Sequence, residues 1–384
     1  MIRHVIRNKN VTNNPYIRNM YVYHLKNWPK FEWDKEEVYP NLIQLISRQQ
    51  HLLGMLDGLG FNVKENTAFE TEIRDILHNS EIEGNFLQES QVRSSIARNL
   101  GIENNEIIVN SIETEGAINV FLESTRNFNM PLTEERLFDW HAGLFPTGRS
   151  GGIKIEVAKY RTSTEPLQIV SGAIGRERVH YEAPKSEVIP TMMQEFLEFA
   201  NSNSIHPFLK ACICHVWFEI IHPFEDGNGR IGRAIVDKIL CEADDSMYRY
   251  YSFSSVILQN NKEYYEQLNK ASVDTLDITN WINWMLSILI SAVEISENVI
   301  KRVEIKRKFW EVYKDENFNS RQLKVIKKLV ENNDLNINTE RWVRITKCTK
   351  MTATRDINEL IEKGIFVKSE SGGRSTHYRI VLPI

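Results

Sequence analysis

The run His222-Pro223-Phe224-Glu225-Asp226-Gly227-Asn228-Gly229-Arg230-Ile231-Gly232-Arg233 breaks one helical pattern and opens another. Pro223, Gly227 and Gly229 stop the preceding helix and force a loop. Helical spacing resumes at Gly229 or Arg230, so the N–H groups of residues 227–229 converge at a helix N-terminus. Such a nest of donors, at the positive end of a helix dipole, is an anion cradle. Arg230 and Arg233, three apart, share a face of the first turn and offer planar donors to phosphate oxygens. Asp226 is the one carboxylate placed to hold Mg²⁺ against those phosphates. His222, on the other rim, is placed to take a proton from an attacking hydroxyl. Each residue alone has an ordinary structural reading. Together, eight specified positions at fixed spacing arise by chance with a probability on the order of 10⁻⁷.

Outward from this loop the chain reads as mainly helical. Helical spacing covers residues 36 to 58 or 60, with Leu42, Leu45, Ile46 and Gln49 on one face, then about 66–79, 87–100 and 112–127. Thr133 is placed to cap a helix that carries Glu134 and Glu135 in its first turn and ends near Leu144. Residues 147–190 lose the helical period. Residues 167–170 and 179–182 read as a hairpin over a turn at 172–175. Helices resume at about 191–202, 206–220, 230–242, 261–274 and 279–313. The last 70 residues run helix, helix, helix, then two strands, 365–369 and 376–381, in the order of a winged helix-turn-helix. In its third helix Ile357, Leu360 and Ile361 form the core stripe. Thr352, Thr354 and Arg355 face a groove, with Lys347, Lys350 and Arg374 near phosphates.

The 384 residues carry 47 Lys+Arg and 51 Asp+Glu, a net charge of −4, with a composition that excludes collagen-like and disordered classes. That balance hides an asymmetry. From Lys301 onward there are 19 basic and 11 acidic residues, or +8, leaving 28 and 40, or −12, for the rest. A nucleic-acid contact therefore belongs to the C-terminal end. Four cysteines make no disulfide framework and read as reduced thiols. The N-terminus lacks an apolar leader, and the most apolar run, residues 281–293, is short for a bilayer. The expectation is a cytoplasmic protein without a membrane partner.

The loop resembles the signature of Fic-domain proteins, HxFx(D/E)GNGRxxR, at every specified position. The resemblance extends over about residues 117–300 and implies a helical Fic core with a β-hairpin flap. Residues 1–115 are then an N-terminal helical region, 116–300 the catalytic domain, and 301–384 a basic helix end plus winged helix. The implied activity is transfer of AMP from Mg²⁺·ATP to a Ser, Thr or Tyr hydroxyl of a target protein, or of the chain itself. His222 is then the base and Asp226 the metal ligand. Gly227, Asn228 and Gly229 bind phosphate oxygens through backbone N–H groups and the Asn side chain, and Phe224 anchors the loop. Arg230 contacts the β-phosphate region and Arg233 the γ-phosphate. Tyr264 and Tyr265 lie on the nucleobase side, and the flap at Val179, His180 and Tyr181 docks the target by strand addition. Gly227, where a phosphorylating branch has Lys, favours nucleotidyl transfer.

Many Fic proteins carry an inhibitory helix, [S/T]xxxE[G/N]. Here Glu83-Gly84 fits, but Asn79 stands at the Ser/Thr position and Ser80 is one residue late. Glu83 paired with Arg233 would occupy the guanidinium that binds the γ-phosphate and leave ATP misaligned. In some relatives such a glutamate positions water to remove AMP, a second reading for Glu83. The rival from another class is a DNA-binding regulator whose Fic part senses nucleotide. A winged helix that docks a protein or a second copy of the chain is the further alternative.

Overall fold

The computed structural model describes residues 2–6, 20–99, 111–171, 178–332, 336–369 and 376–381. The chain forms two compact units, Met1–Ser296 and Glu297–Ile384. The N-terminal helices and the loop-bearing helices lie together in the first unit.

The first unit begins with strand β1 (Ile2–Ile6). Helix α1 (Lys35–Gly58) starts where the Asp34 carboxylate accepts the N–H groups of Glu36 and Glu37 at 2.8 and 3.2 Å. Its buried residues Val38, Leu42, Leu45, Gln49, Leu52 and Leu56 recur every three or four positions. Next come α2 (Phe61–Ile82), α3 (Glu89–Asn99), α4 (Ile112–Arg126) and α5 (Glu134–Leu144). Thr133 caps α5 by accepting the Arg136 N–H. A short hairpin, β2 (Arg149–Ser150) and β3 (Ile153–Lys154), leads to β4 (Leu167–Ser171) and β5 (Arg178–Glu182). Then follow α6 (Ile189–Ala200), α7 (Pro207–Ile221), α8 (Asn228–Asp244), α9 (Phe253–Gln259) and α10 (Asn261–Ala271), and α11 (Thr279–Val312) runs from this unit into the second.

Helix α7 is the axis of this unit. All but two of its fifteen residues are buried, as its apolar composition requires. It packs on α6, α8 and α10, and α8 also meets α2, α4 and α5. The close approach of α4 and α5 rests on glycine: a Cβ on Gly116 would lie 1.8 Å from the Gly143 carbonyl oxygen.

Two features differ from the sequence reading. Helix α9 was not expected. The hairpin β4–β5 gains β1 as a third, antiparallel strand, with Ile2 opposite Ser171 and Ile6 opposite Leu167. The register of β4 and β5 steps from Ile169–Tyr181 to Val170–Val179, a bulge that carries His180. The turn expected at 172–175, the helix stop at 100–101 and the wing tip with Arg374 lie outside the described residues.

In the second unit α12 (Ser320–Asn332), β6 (Asn336–Ile337), α13 (Thr339–Thr346), α14 (Lys350–Glu362), β7 (Phe366–Lys368) and β8 (Tyr378–Ile380) follow in order, with strand order β6-β8-β7. Val325, Leu329, Trp342, Ile357, Leu360 and Phe366 lie in its core. Arg321 grips Asp356 through Nε and Nη2 at 2.7 and 2.9 Å and ties α12 to α14. Ile361 is only partly buried. Thr354 and Arg355 are exposed, and the Thr352 backbone N–H donates to the Thr349 hydroxyl that caps α14. Among the described residues no helix is long and apolar enough to cross a membrane.

The α4–α5 contact gives a stability test. Gly116→Ala forces backbone apart and is expected to cost about 2–3 kcal/mol in urea unfolding. Gly143→Ala, whose Cβ meets only Val120 at 3.4 Å and the Gly116 oxygen at 3.7 Å, is expected to cost less.

Candidate functional site

The loop 222–227 connects α7 to α8. His222 caps α7 with φ 51°, a left-handed conformation that a non-glycine residue adopts only where its surroundings impose it. Its Nδ1 donates to the Glu219 carbonyl at 3.3 Å, so in the neutral ring the lone pair is on Nε2. That is the tautomer a general base needs. Phe224 is buried and stacks on His141 with ring centroids 4.3 Å apart.

Asn228 clamps the loop. Its Oδ1 accepts the Phe224 N–H at 2.9 Å, and its Nδ2 donates to the Phe224 carbonyl at 2.8 Å. The side chain expected on phosphate oxygens is thus engaged in holding the loop, and the backbone N–H remains for an anion. Gly227, at φ 83°, starts α8; a Cβ there would strike the Phe145 ring at 2.7 Å. Asp226 accepts the Gly227 N–H at 2.6 Å through Oδ1 and the Ser150 hydroxyl through Oδ2.

The donor set around Asp226 consists of hard oxygens: one carboxylate and one hydroxyl. It fits Mg²⁺, which is commonly held by one or two carboxylates plus substrate phosphates and water. Among the described residues no group of three or more His, Cys, Asp or Glu side chains forms a metal site. A cation at Asp226 would depend on phosphate oxygens to complete its shell.

Arg233 is fully buried and fully engaged. Nε donates to Asn79 Oδ1 at 2.7 Å, Nη2 to the Asn79 carbonyl at 3.0 Å and to Glu83 Oε1 at 2.9 Å. Nη1 lies 3.5 Å from the Tyr264 hydroxyl. The Glu83 carboxylate raises the Arg233 pKa against the opposing effect of burial. Glu83 caps the C-terminus of α2, and Gly84, at φ 80°, reverses the chain behind it. A Cβ on Gly229 would fall 2.0 Å from Glu83 Oε1. The carboxylate therefore lies directly on the N-terminal turn of α8, in the anion cradle itself.

Arg230 faces the loop's other side, its guanidinium 4.8 Å from the Phe145 ring centroid. Burial depresses its pKa, offset in part by Asp226 and Glu83. Tyr264 is buried. Its hydroxyl, which accepts from Arg233, is hydrogen-bonded to His215 Nε2 at 2.9 Å. Tyr265 is half-buried, and its hydroxyl reaches the Ile82 carbonyl at 3.4 Å. Both expected nucleobase-side tyrosines thus contact the latch around Arg233 and Glu83. In the flap, Tyr181 points inward and donates to the Ile220 carbonyl at 2.6 Å, while Val179 is half-buried. His180 occupies the bulge.

Sequence reasoning passed over three residues. Buried His141 accepts the Ala158 N–H at Nδ1 and donates from Nε2 to the Asp226 carbonyl, each at 3.2 Å. Burial pushes its pKa down to about 4, so it stays neutral as a loop support. Ser150 holds Asp226. Glu219, the one acid in the apolar run Val216-Trp217-Phe218-Glu219-Ile220-Ile221, is largely buried, and burial together with Glu83 pushes its pKa up to about 8. Its isolation in that run was the signal available in the sequence.

Three comparisons bear on this geometry. Residues 131–240 match the Fic/DOC family, so the chain carries a Fic/DOC family domain. Residues 21–102 match a domain of unknown function, DUF4172. A probable protein adenylyltransferase of Aquifex aeolicus is 32% identical over 92 residues, 24% of this chain and 26% of that one. Protein adenylyltransferase Fic of Nematostella vectensis is 25% identical over 210 residues, 53% of this chain and 44% of that protein. The chain therefore spans less than half the length of these curated relatives. A crystal structure of a Fic family protein from Desulfovibrio desulfuricans G20 superposes with a TM-score of 0.52 and 21% identity, over 89% of this chain and 96% of that one, and shares the fold.

The buried acids set a pH dependence. Glu219 keeps its proton in the folded state to about pH 8 and loses it near the ordinary Glu value of 4.5 when unfolded. Its contribution to stability is lost as pH rises through that interval. His141 and His215, depressed to about 4 and about 3, are neutral in both states above 6.5. Thermal unfolding is expected to show stability falling between pH 6.5 and 8, by up to about 1 kcal/mol per pH unit from Glu219. Glu219→Gln is expected to flatten that slope.

Proposed function

We propose that this chain is a protein adenylyltransferase held off by its own Glu83. The reaction is transfer of AMP from ATP to a hydroxyl side chain of a target protein or of the chain itself. The observation that carries the reading is the Glu83 carboxylate seated on Gly229 and paired with Arg233, an anion of this chain in the place of a phosphate.

The residues supply each part of the reaction. N–H groups at the start of α8 receive phosphate oxygens. Arg230 and Arg233 supply planar cationic donors beyond them. Asp226, steadied by Ser150 and by His141 behind its backbone, would hold Mg²⁺, which when bound neutralises phosphate charge. His222 Nε2 takes the target hydroxyl proton as that oxygen bonds to the α-phosphorus and the bond to pyrophosphate breaks. With Glu83 and Asn79 on Arg233, the γ-phosphate lacks its partner and the α-phosphate lacks its alignment.

Glu83→Gly is expected to raise incorporation of labelled AMP by about tenfold or more. His222→Ala in that background is expected to lower it by about 10³-fold. Mass spectrometry identifies the transferred group: an adduct of AMP less water supports the reading, and no adduct in the Glu83→Gly protein overturns it. Release of AMP from a modified target by the unaltered chain would instead favour Glu83 as a water-positioning group. Asn79→Ala, which removes one bond to Arg233 and keeps Glu83, is expected to give incorporation between the parent and Glu83→Gly.

A second reading attaches to the C-terminal unit. Its order of three helices and a paired wing, the +8 charge from Lys301 onward, and the exposed Lys350, Met351, Thr354 and Arg355 on α14 support a winged helix that contacts duplex DNA. Gel shifts over a salt series are expected to show a complex that weakens steeply with salt. Transfer activity without a DNA complex would leave the unit as a protein or dimer adaptor.

A further inference from the structure

Glu219 stands one helical turn before His222. Its Oε2 lies 3.8 Å from His222 Nδ1, while its backbone carbonyl accepts the hydrogen of that same nitrogen at 3.3 Å. Its other oxygen, Oε1, is buried without a hydrogen-bond partner among the described residues. The missing side chain of Gly232 makes room for it, since a Cβ there would lie 2.9 Å from Oε1. Glu83 from the end of α2, Arg233 from α8, Tyr264 and Tyr265 from α10, and Tyr181 from β5 all act on this carboxyl or feel its charge. A lone carboxyl at this depth, with no bond holding its outer oxygen, is costly unless it serves a neighbour.

Two neighbours matter. Glu83 is a like charge and Arg233 an opposite one, and while they are paired with each other the Arg233 field is largely taken up. Burial and Glu83 together favour the neutral acid. Removing Glu83 removes the repulsion. Burial still opposes the charge, but Arg233 now favours it, and the balance moves toward a carboxylate beside the ring nitrogen that does not face the substrate.

We propose that Glu219 is a positioning residue for His222: its carboxylate stabilises the imidazolium formed during transfer, and Glu83 mutes it while the site is latched. This inference rests on the AMP-transfer reading for its catalytic part. When the target oxygen bonds to the α-phosphorus, its proton moves to His222 Nε2 and the bond to pyrophosphate breaks. The ring then carries a positive charge shared with Nδ1–H, which faces Glu219. A carboxylate placed there favours proton uptake without touching substrate, the service that the acid of a Ser-His-Asp triad gives its histidine. Loss of Glu83 would thus act twice, freeing Arg233 for phosphate and shifting Glu219 toward its anion.

The test uses the full chain with Glu83→Gly, carrying Glu219, Glu219→Gln or Glu219→Asp. Selective ¹³C-histidine NMR, with His222 assigned through His222→Ala, follows the ring across pH. Glu219→Gln is expected to lower the His222 pKa by about one unit, and Glu219→Asp to restore part of it. In AMP incorporation, Glu219→Gln is expected to lower kcat about tenfold with ATP affinity unchanged and to displace the pH profile. With Glu83 present, the same substitution is expected to shift the His222 pKa much less. An unchanged His222 pKa in the Glu83→Gly background overturns the proposal. Equal losses in ATP affinity and kcat, with no shift, mark Glu219 as structural and overturn it too. Should no variant transfer AMP, the transfer reading fails, and the NMR titration still decides whether Glu219 governs His222.

Discussion

A guanidinium with no exposure to solvent must have its donors answered, and Arg233 imposes that condition on the whole first unit. It stands on α8, the helix whose first turn is the anion cradle, and its bonds are met by Asn79 and Glu83 from the end of α2. Hence α2 ends at residue 82, and hence Gly84 turns the chain away at once. An uncompensated charge here would cost several kcal/mol, so Glu83 can leave cheaply only when another anion arrives. In the proposed reading, the Glu83 carboxylate and a nucleotide phosphate are alternative anionic partners for the same guanidinium. On that reading a carboxylate inhibits without blocking a pocket, by satisfying the residue that the substrate has to satisfy.

Asn79 adds directional control. A Ser or Thr at this position offers a hydroxyl, whereas the Asn carbonyl oxygen reaches Arg233 Nε at 2.7 Å while its backbone oxygen takes Nη2. Two of the three bonds that α2 supplies to the guanidinium come from a neutral residue. The sequence departs from the Fic pattern here, and the structure shows that the departure preserves the contact with different atoms. Partial matches to a motif lose weight when read as letters and regain it when read as donors and acceptors.

What could be read from the sequence divides along the range of the forces involved. The loop was legible because proline, two glycines, two arginines and a histidine specify one another within twelve positions. The helices were legible because three- and four-residue spacing is local, and α5 begins at its predicted cap, Thr133. Strand β1 was not legible, since its partner β4 lies more than 160 positions away and only tertiary pairing makes residues 2–6 a strand. Asn228 reads as a phosphate ligand from the family pattern, yet its amide is drawn back to Phe224 and holds the loop. The tyrosines of α10 show the same limit: helical spacing places them, but only packing reveals that Tyr264 points at Arg233.

The depth at which α2 is anchored decides how the latch can open. Before its terminal turn, Glu72 pairs with Arg126 at 2.7 Å, Asp75 accepts the Ser252 hydroxyl, and His78 meets the Ser255 hydroxyl at 2.8 Å. Asp75 is buried close to Asp237 of α8, and burial together with the Asp237 charge drives its pKa well up. Lifting the whole helix would expose this arrangement and the Ile73–Ile76 contacts with α3 and α4. Turning out Glu83 alone breaks one ion pair at a helix end, where backbone bonds are fewest. The less costly motion is therefore confined to the last turn of α2 and Gly84, which carry the Asn79 and Glu83 bonds to Arg233.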